Sequence, residues 1–239
     1  MAPEVVVGAE NVLAAQFVRR FETEARRAMT AQGRCACALP GGSVARAFFP
    51  SLAGASVDWS RVDVFWGDER AVPATDPESN YGLASRLWLR QIRPDPSRVH
   101  RMPADAADLD AAAVSYAADM IRILGDPPRL DVILVGMGPD GHVCSLFPGH
   151  TALGERAHAV VAVRDAPTPP RQRLTITLRV LAAAGTIYIV AFGAEKAAAI
   201  REAIEEENSV LPVSLTVRSG PKAVFMLDPA AASLLVRSG

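Results

Sequence analysis

Leu130–His150 reads LDVILVGMGPDGHVCSLFPGH, and this stretch decides the fold. Val132, Ile133, Leu134 and Val135 form a short unbroken apolar run, the pattern of a strand covered on both faces in a parallel sheet. The run stops at a glycine. Gly136, Gly138 and Gly141 free the backbone for positive φ, and Pro139 fixes its own φ and lacks an N–H. A loop so built stands at the carboxyl end of a sheet strand, where open α/β folds place their ligands. His142 is thereby put where chemistry usually happens.

The same glycines match G-x-G-x-x-G, and Asp165 follows a later apolar run, Val160–Val163, so a dinucleotide fingerprint has to be weighed. That fingerprint needs a long helix beginning inside the glycines. Pro148-Gly149 leaves room for only about two turns at 3.6 residues per turn, so the reading is set aside. A plain polar-loop histidine is the bland alternative. It is weakened by Asp140, Ser145 and the glycine-rich turn around His142.

Composition narrows the classes. A chain of 239 residues, 50% hydrophobic, can bury a sizeable core, most simply as one α/β domain spanning residues 1–239. A net charge of −1 with no basic block argues against nucleic acid as partner and leaves specific small anions open. Cys35, Cys37 and Cys144 form no C-x-x-C or zinc pattern, which fits a reducing compartment. The four histidines are scattered, with no H-x-x-x-H or Cys/His cluster, so neither a metal nor another cofactor is expected. Residues 1–16 lack a basic segment before an apolar run, and no stretch of about 18 apolar residues is present to cross a bilayer. The expectation is a soluble cytoplasmic protein with no membrane partner, a monomer or a weak homo-oligomer.

Helical and strand-like segments alternate along the chain without a repeat. This predicts a mostly parallel sheet with helices on both faces. Glu4–Val7 is a strand candidate, and Asn11 is placed to cap a helix carrying Leu13, Phe17, Phe21, Ala25 and Ala28. Cys35–Leu39 runs into Pro40-Gly41-Gly42-Ser43 and a helix over Val44–Ser51. Such a helix start attracts phosphate through exposed N–H groups and the dipole, with Ser43 adding a hydroxyl; equally, Ser43 is placed to cap the helix. Val62–Trp66 leads to Gly67-Asp68-Glu69-Arg70, two acids and a guanidinium on one loop. Arg70 suits carboxylate or phosphate, or charge forming on oxygen, against a surface salt-bridge cluster as the alternative. Asn80 is placed to cap a further helix. Trp59, Trp66, Trp88 and His100 read as packing or structural residues.

Val99–Met102 is a short strand candidate, and Asp108–Leu124 an amphipathic helix ended by Gly125 and Pro127-Pro128. After Val160–Val163, Pro167–Pro170 stiffens a bend before Arg171 and Arg173, either aimed at a fixed point or solvated. Thr186–Phe192 is another buried strand. Lys196 follows in the first turn of a helix over Glu195–Glu206, where a cation opposes the dipole unless a phosphate lies nearby. Ala223–Leu227 is a last strand, followed by a short alanine-rich tail helix.

Taken together, LPGGSVARAFFPSL (39–52), VDVFWGDERAVPATDPESNYGLA (62–84), LDVILVGMGPDGHVCSLFPGH (130–150), PPRQRLTITLRVL (169–181) and GAEKAAAI (193–200) resemble the 6-phosphogluconolactonase family in order and spacing. WGDER with ESNYG and GPDGHVCSLFPG is the specific combination. The related glucosamine-6-phosphate deaminases have Asp-Glu-Tyr where this chain has Asp68-Glu69-Arg70. They also have Asn-Glu-Pro in place of the segment beginning Ser145-Leu146-Phe147. Ala45-Arg46 departs from the lactonase pattern after Ser43, and Arg46 is a candidate extra phosphate contact.

The resemblance implies an α/β, Rossmann-like three-layer fold with a sugar-phosphate substrate over the carboxyl ends of the strands. It implies hydrolysis of 6-phospho-D-glucono-1,5-lactone to 6-phosphogluconate in the oxidative pentose phosphate pathway, without a metal. An unperturbed imidazole, pKa about 6.5, is largely neutral at pH 7 and can take a proton from water. His142 is thus the expected general base, Asp140 its orienting partner and Arg70 the oxyanion stabiliser with phosphate as second target. Gly41, Gly42, Ser43, Arg173 and Lys196 are the expected phosphate contacts. The competing class is a sugar-phosphate binder that has lost its chemistry. Acid release from fresh lactone discriminates the two.

Overall fold

The computed structural model describes residues 3–236. Six strands form one sheet in which every neighbouring pair is parallel. They are β1 (Glu4–Val7), β2 (Cys35–Leu39), β3 (Val62–Trp66), β5 (Val132–Gly136), β8 (Thr186–Ala191) and β9 (Lys222–Leu227), in the order β1-β9-β8-β5-β2-β3. β2, β3 and β8 are buried at every position, and β5 at all but Gly136, because helices cover the sheet. This is the α/β architecture that the continuous apolar runs require.

The helices α1 (Glu10–Gln32), α2 (Gly42–Leu52), α5 (Leu109–Leu124) and α7 (Ala197–Glu205) supply most of the covering layers, together with the shorter α6 (Leu178–Ala183) and α8 (Pro212–Arg218). Helix α1 buries Leu13, Phe17, Phe21, Ala25 and Ala28, the stripe its spacing predicts. Phe17 meets Tyr188 of β8 edge-on, with ring centroids 5.2 Å apart. Its N-cap is Ala9 rather than Asn11, whose Oδ1 accepts the Val12 N–H at 3.0 Å. Asp108 does cap α5, accepting from the N–H groups of Asp110 and Ala111.

A second sheet was not anticipated. β4 (Asp68–Arg70), β6 (Val160–Val163) and β7 (Arg173–Ile176) form an antiparallel sheet in the order β4-β7-β6. The chain passes from one sheet to the other at Gly67, whose N–H bonds Leu39 O and whose carbonyl accepts from Ile176. The Val99–Met102 segment contributes one bridge, Val64 to Val99. Residues 229–234 are turns rather than a tail helix. From Met137 to His150 no helix forms, which bears out setting the dinucleotide fingerprint aside.

Candidate active site

β8, β5, β2 and β3 are consecutive in the sheet, so the loops leaving their carboxyl ends are neighbours. Those loops carry Lys196, His142, the Gly41–Ser43 turn and Asp68. All of them line one cleft of about 140 Å³, joined there by Arg70 and Arg173 from the second sheet. Seven of the eight expected site residues thus share a cleft, and the eighth, Asp140, is bonded to His142. Arg46 and Arg171 are exposed and outside it.

The histidine loop is a tight turn. Gly138 N–H bonds His142 O at 2.9 Å, and Gly141 N–H bonds Gly138 O at 3.0 Å. His142 Nδ1 lies 2.6 Å from Asp140 Oδ1, which also accepts the His142 backbone N–H at 3.2 Å. A carboxylate only accepts, so Nδ1 carries the hydrogen, and in the neutral imidazole Nε2 keeps its lone pair. Phe147 packs against the imidazole with ring centroids 4.6 Å apart. Only Gly141 of the three loop glycines has positive φ, at 76°. Gly138 is needed for space instead: a Cβ there would sit 2.1 Å from His142 Nδ1.

Helix α2 starts at Gly42, with Gly41 as N-cap and no side-chain cap. Ser43 therefore does not cap the helix, and it is an exposed residue among the first-turn N–H groups. Those groups have no intrahelical acceptor and stand at the positive end of the helix dipole, the arrangement that binds anions.

Three cations line the same cleft as this turn. Lys196 is half-buried and forms no ion pair among the described residues. Burial pulls its pKa below the usual lysine value, against the opposing pull of Glu195 and Asp228. Arg70 donates from Nη1 to Glu78 O at 2.9 Å, and its buried Nε has no partner. Arg173 is buried, with Nε bonded to Pro170 O and Nη2 to Thr168 O, both at 2.8 Å. Burial lowers the Arg173 pKa, Asp68 opposes this, and Arg70 adds to it.

Of the two acids on the Asp68-Glu69-Arg70 strand, only Asp68 faces the cleft. It accepts from Ser145 Oγ at 2.7 Å and Asn80 Nδ2 at 3.2 Å. Glu69 turns inward and accepts the N–H groups of Arg70, Asn80 and Tyr81, each at 2.8 Å, with Ser79 Oγ at 3.1 Å. Burial pushes its carboxyl up, opposed by the three backbone donors. Asp68 and Asn80 are polar cleft residues outside the site expected from the sequence. Cys144 also lines the cleft, but burial, and secondarily Asp68, push its thiol well up, so it is no ready nucleophile. Among the described residues no three His, Cys, Asp or Glu side chains gather to hold a metal, and no helix is long and apolar enough to cross a membrane.

Residues 8–225 match the family model described as glucosamine-6-phosphate isomerases/6-phosphogluconolactonase. The chain is 35% identical to a 6-phosphogluconolactonase of Streptomyces coelicolor, over 99% of this chain and 96% of that one. It is also 35% identical to one from Mycobacterium tuberculosis, covering 94% and 95%. The solved 6-phosphogluconolactonase from Trypanosoma cruzi superposes with a TM-score of 0.88 at 25% identity, covering 99% and 98%. A monomeric glucosamine-6-phosphate deaminase shares the fold, with a TM-score of 0.82 at 22% identity.

Proposed function

The chain belongs to the glucosamine-6-phosphate isomerase/6-phosphogluconolactonase family, and from that membership we propose that it hydrolyses 6-phospho-D-glucono-1,5-lactone. The product is 6-phosphogluconate, in the oxidative pentose phosphate pathway of the cytoplasm. The observation that carries this reading is one cleft holding both a helix-start anion seat and a histidine with a free Nε2.

In the reaction, the Gly42 and Ser43 N–H groups, Arg173 and Lys196 hold the phosphate, which fixes the lactone ring relative to His142. Nε2 takes a proton from water as its oxygen bonds to C1. The carbonyl oxygen becomes an oxyanion, held by Arg70. Collapse breaks the bond between C1 and the ring oxygen, and His142 returns the proton to that oxygen. The new carboxylic acid then loses a proton to solvent. Asp140 keeps the hydrogen on Nδ1 throughout. No step calls for a metal, because the ester is activated and the water is positioned by the imidazole.

The test is acid release on adding freshly made lactone to purified protein, measured against the spontaneous rate. Release no faster than the spontaneous rate overturns the assignment.

A further inference from the structure

Asn80 is 1% exposed and is the first residue of the short helix α3 (Asn80–Ala84). It does not cap that helix. Ser79 does, accepting from Gly82 N–H at 3.0 Å, while Glu69 takes the N–H groups of Asn80 and Tyr81. The Asn80 side chain is thereby free for another task. Its Nδ2 donates to Asp68 O at 2.8 Å and to Asp68 Oδ1 at 3.2 Å. Both contacts are acceptors, so the amide orientation is fixed and Oδ1 must point the other way.

That Oδ1 is buried and has no hydrogen-bond partner. It presses instead on Gly41, where a Cβ would fall 1.7 Å from Oδ1 and 2.3 Å from Cγ. Gly41 has φ −110°, a value open to other residues, so the approach of Asn80 is what demands glycine there. The amide is wedged between the Asp68 strand and the turn that begins α2, and all three line the cleft. A buried amide whose carbonyl oxygen lacks a donor is an unfavourable arrangement, and such a group in a cleft calls for a functional explanation.

We propose that Asn80 is a positioning residue that seats the Gly41–Ser43 turn against Asp68, and so sets where the substrate phosphate is held. This rests on the lactonase reading for its substrate, but not for its anion. Loss of the wedge loosens the anion seat while the imidazole and Asp140 keep their own turn. The penalty of removing Asn80 therefore depends on the phosphate.

The experiment compares kcat/KM of wild type and Asn80→Ala on 6-phosphogluconolactone and on unphosphorylated glucono-1,5-lactone. The expected loss on the phosphorylated lactone exceeds that on the unphosphorylated one by about tenfold or more, mostly in KM, as for contacts to a group whose charge does not change. Equal losses on both, or no loss on either, overturn the proposal. Gly41→Ala supplies a second arm: its defect is expected to shrink in the Asn80→Ala background, and full additivity of the two substitutions counts against the wedge. Calorimetric binding of inorganic phosphate separates this proposal from the lactonase reading. A wild type inactive on lactone whose phosphate affinity falls on Asn80→Ala keeps the seat and loses the enzyme; an unchanged affinity rejects the seat.

Discussion

Arg70 and Arg173 stand directly opposite one another across the β4–β7 ladder. Like charges at facing positions destabilise a sheet, on the scale of the roughly 0.2–1 kcal/mol that cross-strand pairs carry. A dianion between or beside them offsets that repulsion. Arg70→Gln is therefore expected to leave the thermal midpoint unchanged or slightly raised, and to lose part of the rise that 6-phosphogluconate gives the wild type. A midpoint lowered by several degrees would show that the bond to the Glu78 carbonyl outweighs the repulsion.

The two arginines are expected to separate kinetically. Arg173 is clamped by Pro170 and Thr168, a fixed cation suited to a phosphate whose charge is constant, so Arg173→Ala raises KM with kcat little changed. In the proposed reaction Arg70 stabilises charge that forms only in the transition state, so Arg70→Ala is expected to lower kcat. Steady-state kinetics of both variants decides the roles, and a pure KM effect at Arg70 reassigns it to the phosphate.

His142→Ala is expected to bind 6-phosphogluconate normally and to lose roughly 10²–10⁴-fold in rate, the worth of a general base. Asp140→Asn lowers kcat by less, because an amide can still accept from Nδ1–H but is equally able to donate and favour the other tautomer. Calorimetry with product and initial rates measure both. Wild-type turnover in His142→Ala would exclude the role.

Gly138→Ala tests the histidine turn without replacing His142 or Asp140. The added methyl would lie 2.1 Å from His142 Nδ1 and 2.6 Å from Asp140 Oδ1, while the backbone there does not need positive φ. The strain falls on the pair and the ring has open cleft to swing into, so kcat drops with little change in thermal midpoint. A variant as active as wild type would show that the 2.6 Å contact is dispensable.

How far the site was legible follows from the same geometry. Apolar runs gave the buried strands, and glycine turns after them gave the strand ends, so His142 was placed at a strand end by spacing alone, while Ser43 stayed open between phosphate contact and helix cap. That these ends are adjacent depends on strand order, which no local pattern encodes. Asp68 and Glu69 look alike in sequence, and only the bonds that Glu69 accepts from the Asn80 and Tyr81 N–H groups turn one inward. Asn80 read as a cap because asparagine favours that place; Ser79 took it instead. The β4-β7-β6 sheet escaped because β4 is three residues long and pairs with a strand about a hundred positions away.

As part of the proposed anion seat, Lys196 makes ligand binding depend on pH. Burial lowers its folded pKa below the ordinary lysine value, so the unfolded chain binds this proton more readily. Stability then rises with pH wherever the unfolded state holds more protons, from the folded pKa up to the unfolded one, and the destabilisation is fully present below that window. Lys196→Met is accordingly expected to raise the thermal midpoint at neutral pH, where the buried charge is present, while weakening 6-phosphogluconate binding. The ligand's phosphate favours the ammonium, so binding takes up protons as the free protein begins to lose them. Affinity should decline on the alkaline side sooner than an ordinary lysine dictates, and Lys196→Arg should abolish that early decline. Calorimetry across pH in two buffers of different ionisation heat measures both affinity and proton uptake; identical alkaline profiles for wild type and Lys196→Arg would remove Lys196 from the anion seat.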